Sequence, residues 1–69
     1  MTGEAVNRFE EAFLSLPPDQ REVFIQSRLV GLSYAEIAEK MGKSEPSVRK
    51  TLSRARARLA MLLVPDDDL

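Results

Sequence analysis

Residues 33–59 constrain this chain most, because they carry the signals of two helices separated by a tight turn. Ser33 and Glu36 have the spacing of a capping box, which predicts that a helix begins immediately after Ser33. Gly42 can adopt a positive φ without steric cost, so it suits the turn that ends this helix. The expected first helix of the pair therefore covers about residues 34–41.

The second helix of the pair is predicted from its cap and its apolar period. Ser44 is a candidate N-cap, and Pro46 falls in the first turn, where a missing N–H is tolerated. The apolar positions recur at helical spacing: Val48, Leu52, Ala55, Leu59 and Leu62. The opposite face is polar or small: Lys50, Ser53, Arg54 and Ala57, flanked by Arg49, Arg56 and Arg58. This is the helix-turn-helix pattern of proteins that read the DNA major groove.

The charge of the chain is concentrated on this second helix, although the total is only −1. Residues 43–58 hold six basic side chains and one acidic one, a net charge of +5. Residues 1–42 and 59–69 each sum to −3. Local field governs binding more than the total charge does, so a polyanionic partner is compatible with this distribution. The plainer interpretation is a solvated helix face with basic residues near its C-terminus.

Two further helices are expected before the pair. The first, over about residues 5–15, has apolar residues at helical spacing: Val6, Phe9, Phe13 and Leu16. Two prolines separate it from a second helix over about residues 18–30, which we expect Gly31 to end. Its core candidates are Val23, Phe24, Leu29 and Ile25, and Val30 is expected to be exposed. Both helices are interpreted as a scaffold for the last helix, a role compatible with protein docking.

The last helix is expected over about residues 45–63, with a disordered acidic tail at 65–69. The apolar stretch Met61–Val64 is interpreted as packing over the first helix, with a surface for a partner as the alternative. The chain is thus expected to form a single all-α domain of four helices.

Catalytic chemistry has little support in the composition. The chain lacks histidine and cysteine, which excludes the usual zinc sites and a Ser-His or Cys-His nucleophile pair. It has no glycine-rich phosphate loop, and its acidic clusters do not suggest a metal site. We therefore expect no enzyme activity, no cofactor and no small-molecule substrate. No membrane span or signal peptide is recognisable, so a cytoplasmic location with no membrane partner is expected.

A family resemblance emerges from these elements taken together. The combined pattern LP…REVF…GLSYAEIAEKMGKS…V…LSRAR resembles region 4 of bacterial RNA polymerase sigma factors, nearest the extracytoplasmic-function type, over about residues 5–60. The resemblance implies a four-helix domain ending in a helix-turn-helix, of the winged-helix-like or sigma region 4 type. It also implies binding to the −35 promoter element, docking on the β flap of the RNA polymerase core, and a possible anti-sigma factor as partner.

Carried over by position, the base-reading residues of the family fall at Glu45, Pro46, Arg49 and Lys50. Arg and Lys can both reach the O6 and N7 acceptors of guanine, and a carboxylate can accept from the cytosine amino group. The proline ring could touch a thymine methyl group. The remaining candidates for DNA contact lie in the turn and on the outer face: Lys43, Ser44, Ser47, Ser53 and Arg54.

The sequence departs from the family pattern in two respects. The promoter-melting domain that normally precedes this one is not in the chain, so an excised domain or a small stand-alone relative is expected. Gln26 and Ser27 stand where the family more often has Leu and Arg, which bears on packing or polymerase docking.

Two alternative functions stay open beside promoter recognition. The first is a sigma-like module that binds an anti-sigma factor or RNA polymerase with weak or no DNA binding. The second is the output domain of a two-component-type regulator, disfavoured because such domains lack the LP…REVF block in this register.

Overall fold

The computed structural model describes residues 3–63, with side chains described from residue 8 onward. This part of the chain is all helical and without strands: α1 Gly3–Leu14, α2 Pro18–Phe24 continued by a π-helical segment Ile25–Val30, α3 Tyr34–Met41 and α4 Glu45–Leu62. The expected fold class, an all-α four-helix domain ending in a helix-turn-helix, is confirmed. None of the described helices combines the length and apolar character needed to cross a bilayer. The acidic tail lies outside the described residues.

The capping box predicted at the start of α3 is present. The backbone N–H of Glu36 donates to the Ser33 hydroxyl oxygen at 3.1 Å, and the Glu36 carboxylate accepts from the Ser33 N–H at 2.8 Å. Two donors that the helix cannot satisfy internally are therefore paired locally. This explains why α3 begins where the sequence predicts it.

The turn after α3 depends on Gly42, whose φ of +67° lies in the left-handed region. The Lys43 N–H donates to the Ala38 carbonyl at 2.8 Å, and the Gly42 N–H points to the Glu39 carbonyl at 3.4 Å. These are the two bonds of a Schellman motif, which satisfies carbonyl groups at the helix end. The chain can therefore leave α3 and enter α4 within three residues.

Helix α4 carries buried residues of both clusters of the core. The first cluster joins α2, α3 and the first half of α4: Val23, Ile37, Ala38, Val48 and Leu52. The second joins α1 and the second half of α4: Ala12, Leu16, Ala55 and Leu59. Phe24 packs against both, and its ring meets Phe13 edge to face with centroids 5.9 Å apart. Such a pair adds about 0.5–1.5 kcal/mol beyond its buried area.

Arg21 ties the end of α1 to α2. Its guanidinium donates to the Leu14 carbonyl at 3.1 Å, at the C-terminus of α1 where carbonyl groups lack helical partners. Pro17 is extended, with φ −56° and ψ 151°, and Pro18 occupies the first position of α2. The two prolines and the arginine thus orient α1 against the rest of the domain.

The expectation that Leu29 lies in the core is wrong, because 73% of it is exposed. It belongs to the π-helical segment, whose Gln26 carbonyl accepts from Gly31 N–H at 3.0 Å and Leu32 N–H at 2.9 Å. The wider turn of i→i+5 bonding shifts side chains around the axis relative to an α-helix. Val30 is 56% exposed, as the sequence predicts.

The packing predicted for the Met61–Val64 stretch is only partly correct. Leu63 packs against the second cluster, but Met61 is 78% exposed and Leu62 51% exposed. The register of α4 puts Met61 on the face away from the core. Val64 lies outside the described residues.

Candidate nucleic-acid interface

Helix α4 is buried along one face, which packs against the other helices, and exposed to solvent along the opposite face. The face toward the other helices is buried at Val48, Thr51, Leu52, Ala55 and Leu59. Around the rest of the helix the basic side chains are exposed: Arg49, Lys50, Arg54, Arg56 and Arg58. The residues between them, Ser53 and Ala57, are small and exposed, so they leave room for a close approach. The surface formed by the turn and this outer side of α4 is called the basic face below.

The N-terminus of α4 is capped as the sequence predicts. The Ser44 hydroxyl oxygen accepts from the Ser47 N–H at 3.2 Å, and its carbonyl accepts from the Val48 N–H at 3.0 Å. Pro46 has no N–H to offer. The Glu45 N–H and the Ser44 hydroxyl proton are among the donors at this helix end that an external anion can use. The helix dipole favours a negative charge at this position.

Arg49 has two neighbours of different kinds. Its guanidinium lies 3.8 Å from the Glu45 carboxylate, one turn earlier on α4. Its Cζ also lies 5.4 Å from the centroid of the Tyr34 ring, at the start of α3. The ion pair is solvent exposed, and pairs of this kind contribute only about 0.3–0.5 kcal/mol. A competing anion or base edge can therefore replace it.

Lys43 is oriented across the turn. Its ammonium lies 4.0 Å from the Asp19 carboxylate, in the first turn of α2. Since this distance is at the limit for an ion pair and Asp19 is half exposed, the interaction is weak. Lys43 therefore stays available to a phosphate beside the turn.

The structure places the nine predicted contact residues together along the turn and the first three turns of α4: Lys43, Ser44, Glu45, Pro46, Ser47, Arg49, Lys50, Ser53 and Arg54. All but Lys43 and Ser47, which are half-buried, are exposed. The helical part is about 15 Å long at 1.5 Å per residue, comparable with the roughly 12 Å width of the major groove.

Two neighbours of these residues are not predictable from the sequence. Tyr34 and Asp19 approach Arg49 and Lys43 only because α2, α3 and α4 fold together. Neither contact has the short spacing of a helix-surface pair, so no local signal indicates it. The position of Tyr34 just after the N-cap was recognisable, but its partner was not.

The sequence of the chain is similar to those of known proteins. The family model described as "Sigma-70, region 4" matches residues 7–59. The ECF RNA polymerase sigma factor SigM of Mycobacterium tuberculosis is 39% identical over 54 residues, which cover 78% of this chain and 28% of SigM. The probable RNA polymerase sigma-C factor of Mycobacterium bovis is 40% identical over 52 residues, covering 75% of this chain and 28% of that factor. The matched segment thus represents little more than a quarter of these relatives' length. No solved structure matches the chain significantly.

Proposed function

This chain belongs to the sigma-70 region 4 family, and on that premise we propose that it binds promoter DNA at the −35 element as part of a sigma factor. Family membership confirms the resemblance seen in the sequence motifs. The relatives it matches are named as RNA polymerase sigma factors. Docking of the chain on the β flap of the RNA polymerase core, and capture by an anti-sigma factor, belong to the same proposal.

One observation carries the proposal: α4 is anchored by its apolar stripe and leaves its basic face open. Six basic side chains lie between residues 43 and 58 on a molecule whose total charge is −1. A helix held in this way can enter the major groove while the turn and α3 lie across the phosphate backbone.

Base recognition is assigned to the first turns of α4. Arg49 can bind guanine O6 and N7 bidentately, and Lys50 can reach the same acceptors. Glu45 can accept from a cytosine amino group, and the Pro46 ring can contact a thymine methyl group. Both Glu45 and Pro46 are exposed, which this role requires.

Backbone contacts are assigned to the turn and to the outer face further along α4. Lys43, Ser44 and Ser47 surround the helix N-terminus, where the partial positive charge attracts a phosphate. Ser53 and Arg54 lie farther along the same exposed face. Contacts of this kind set the register of the protein on the duplex and do not distinguish bases.

The test is a binding titration of the chain with a −35-like duplex and a scrambled duplex. Arg49→Ala is expected to lose about 1–3 kcal/mol of preference at one base pair, because a bidentate contact disappears. Arg8→Ala is the charge-matched control, since Arg8 is exposed on α1, a helix that contributes no residue to the basic face. It is expected to leave the preference unchanged.

The same titration repeated over a range of salt concentrations measures the phosphate contacts. If all six basic side chains neutralise a phosphate, the slope of log K against log salt is about −5. Equal and feeble binding to both duplexes would contradict promoter recognition by this chain.

The alternative function, a sigma-like interaction module with weak DNA binding, is favoured by one observation. Met61 and Leu62 expose apolar surface at the end of α4, 78% and 51% respectively. Apolar residues exposed side by side are a feature of protein-binding surfaces. The alternative predicts retention of RNA polymerase core or an anti-sigma factor together with a salt slope near zero for DNA.

A further inference from the structure

We propose that Tyr34 is a specificity-determining residue that positions Arg49 for base reading. The inference rests on the proposed function, because it concerns how the basic face of α4 recognises a base pair. The contact between Tyr34 of α3 and Arg49 of α4 forms only when the two helices pack in the folded domain.

Tyr34 is suited to position another side chain because its own ring is held in place. It is the first residue of α3, directly after the capping box, and it packs partly buried against the first core cluster. A ring held by packing is a fixed reference point, unlike an exposed flexible side chain. The Arg49 guanidinium carbon lies 5.4 Å from its centroid, within the range of a cation–π contact.

The position of Arg49 on α4 explains why it needs orientation. Its place in the helical register is on the flank, between the buried stripe and the outermost residues, on the side that faces Tyr34. An arginine on the flank can extend toward the groove or lie along the protein surface. The contact with the Tyr34 ring restricts the conformations of the Arg49 side chain before DNA binds. Less side-chain entropy is then lost on binding.

The two neighbours of Arg49 act differently when DNA arrives. Glu45, 3.8 Å away, competes with guanine for the N–H donors of the guanidinium. The Tyr34 ring accepts through its π face, so the guanidinium can keep this contact while its N–H donors turn to a base. Tyr34 can therefore hold Arg49 in both the free and the bound state, whereas a base edge can replace the exposed ion pair with Glu45.

A purely structural role for Tyr34 is the competing explanation. In that case removal of the ring would lower stability and weaken binding to all sequences alike. A positioning role instead predicts a loss of preference at the base pair read by Arg49, with rescue by any residue that restores the ring.

The experiment begins with selection of the preferred duplex from a randomised pool by the wild-type chain. Tyr34→Leu, Tyr34→Phe, Arg49→Ala and Lys50→Ala are then titrated against this duplex and its single-base variants. Tyr34→Leu is expected to lower the preference at the Arg49-dependent base pair by about two- to fivefold, the size of an exposed cation–π contact. Tyr34→Phe keeps the ring and is expected to retain the preference.

Double variants separate positioning from packing. In the Arg49→Ala background, Tyr34→Leu is expected to cause no further loss of preference, because the residue it positions is absent. In the Lys50→Ala background its effect is expected to persist. An equal effect in both backgrounds, or a Tyr34→Phe variant as impaired as Tyr34→Leu, would overturn the inference.

NMR of the protein without DNA supplies an independent measurement. The Arg49 side-chain protons are expected to be shifted upfield by the Tyr34 ring, to keep this shift in Tyr34→Phe and to lose it in Tyr34→Leu. Absence of the shift in the wild type would overturn the inference whatever the DNA result. If the wild type selects no sequence, the proposed function fails; if it selects one and Tyr34→Leu leaves the preference intact, only the inference fails.

Discussion

At the start of α3, a single pair of residues shows how a local contact sets both a helix boundary and a charge state. The Ser33 backbone N–H donates to the Glu36 carboxylate, and the Ser33 hydroxyl group also hydrogen-bonds this carboxylate. Both interactions favour the ionised form, so they lower the pKa of Glu36 below its ordinary value. The carboxylate also lies in the first turn, where the helix dipole favours negative charge.

The lowered pKa of Glu36 predicts a specific pH dependence of stability. A group whose folded pKa is depressed stabilises the fold above its unfolded pKa, about 4.3, and this contribution disappears as the pH falls through the folded value. The stability advantage of the wild type over Glu36→Gln is therefore expected to shrink between pH 6 and pH 3. Urea unfolding of both proteins at several pH values in this range measures it.

Glu39→Gln is the matched control for that series. Glu39 is exposed on the same helix but takes no part in the capping box, so its removal tests a change of charge alone. A wild-type advantage over Glu36→Gln that stays constant or grows toward pH 3 would contradict the assigned role of the carboxylate.

At the scale of elements, the geometry of the helix-turn-helix depends on how α3 ends. The Schellman bonds and the left-handed Gly42 end α3 and turn the chain within three residues, and the Ser44 cap then starts α4. The π-helical end of α2 shows the opposite case, in which the hydrogen-bond pattern departs from the α-helix that the sequence suggests. Its consequence is an exposed Leu29 where a core residue was expected.

Gly42→Ala tests the turn by itself. A Cβ at this position would meet no atom within 4 Å, so the cost comes from the backbone conformation and not from a clash. We expect a loss of about 1–2 kcal/mol in the free energy of unfolding, since a non-glycine residue disfavours positive φ. Gly42→Asn is expected to cost less, because asparagine tolerates the left-handed region.

Urea unfolding with an unchanged m-value is the appropriate measurement for these two variants. Equal losses for alanine and asparagine would contradict the backbone explanation.

At the scale of the whole molecule, α4 links two small clusters that could not form separate domains. Phe24 packs against both, and α4 supplies buried residues to each. In so small a chain the core provides only a few kcal/mol of net stability. Loss of either cluster should therefore unfold the domain and remove the basic face with it.

Leu16→Ala is the test of this coupling, with Leu14→Ala as its matched control. Leu16 is 2% exposed in the second cluster, while Leu14, two residues earlier, is 61% exposed. Truncation of a buried leucine costs about 2–5 kcal/mol, comparable with the whole stability of a domain this small. Leu16→Ala is thus expected to be largely unfolded and to lose DNA binding, whereas Leu14→Ala changes stability by less than about 0.5 kcal/mol.

The stability of both variants is measured by thermal unfolding, monitored by far-UV circular dichroism. A cooperative Leu16→Ala melt near that of the wild type would show that α1 folds against α4 without this contact.

The sequence by itself was sufficient for features that depend on residues close along the chain. The capping box at Ser33, the Ser44 cap and four buried positions of α4 follow from spacings of three or four residues: Val48, Leu52, Ala55 and Leu59. The turn at Gly42 follows from the residue type. Leu62, predicted for the same buried stripe, is 51% exposed. Hydrogen bonding at helix ends and helical periodicity are local, so their signals survive without knowledge of the fold. The nine candidate contact residues were named from the same local pattern and from the family motif, and their role in DNA binding stays a prediction.

Only the tertiary structure decided which distant residues meet. It brought the Tyr34 ring to Arg49 and Asp19 to Lys43, and it placed Leu29 outside the core. Each of these depends on the relative positions of helices or on a hydrogen-bond pattern that the residue types do not specify. Contacts between elements result from the packing of the whole core, because no pair of these residues attracts strongly enough to determine that packing alone.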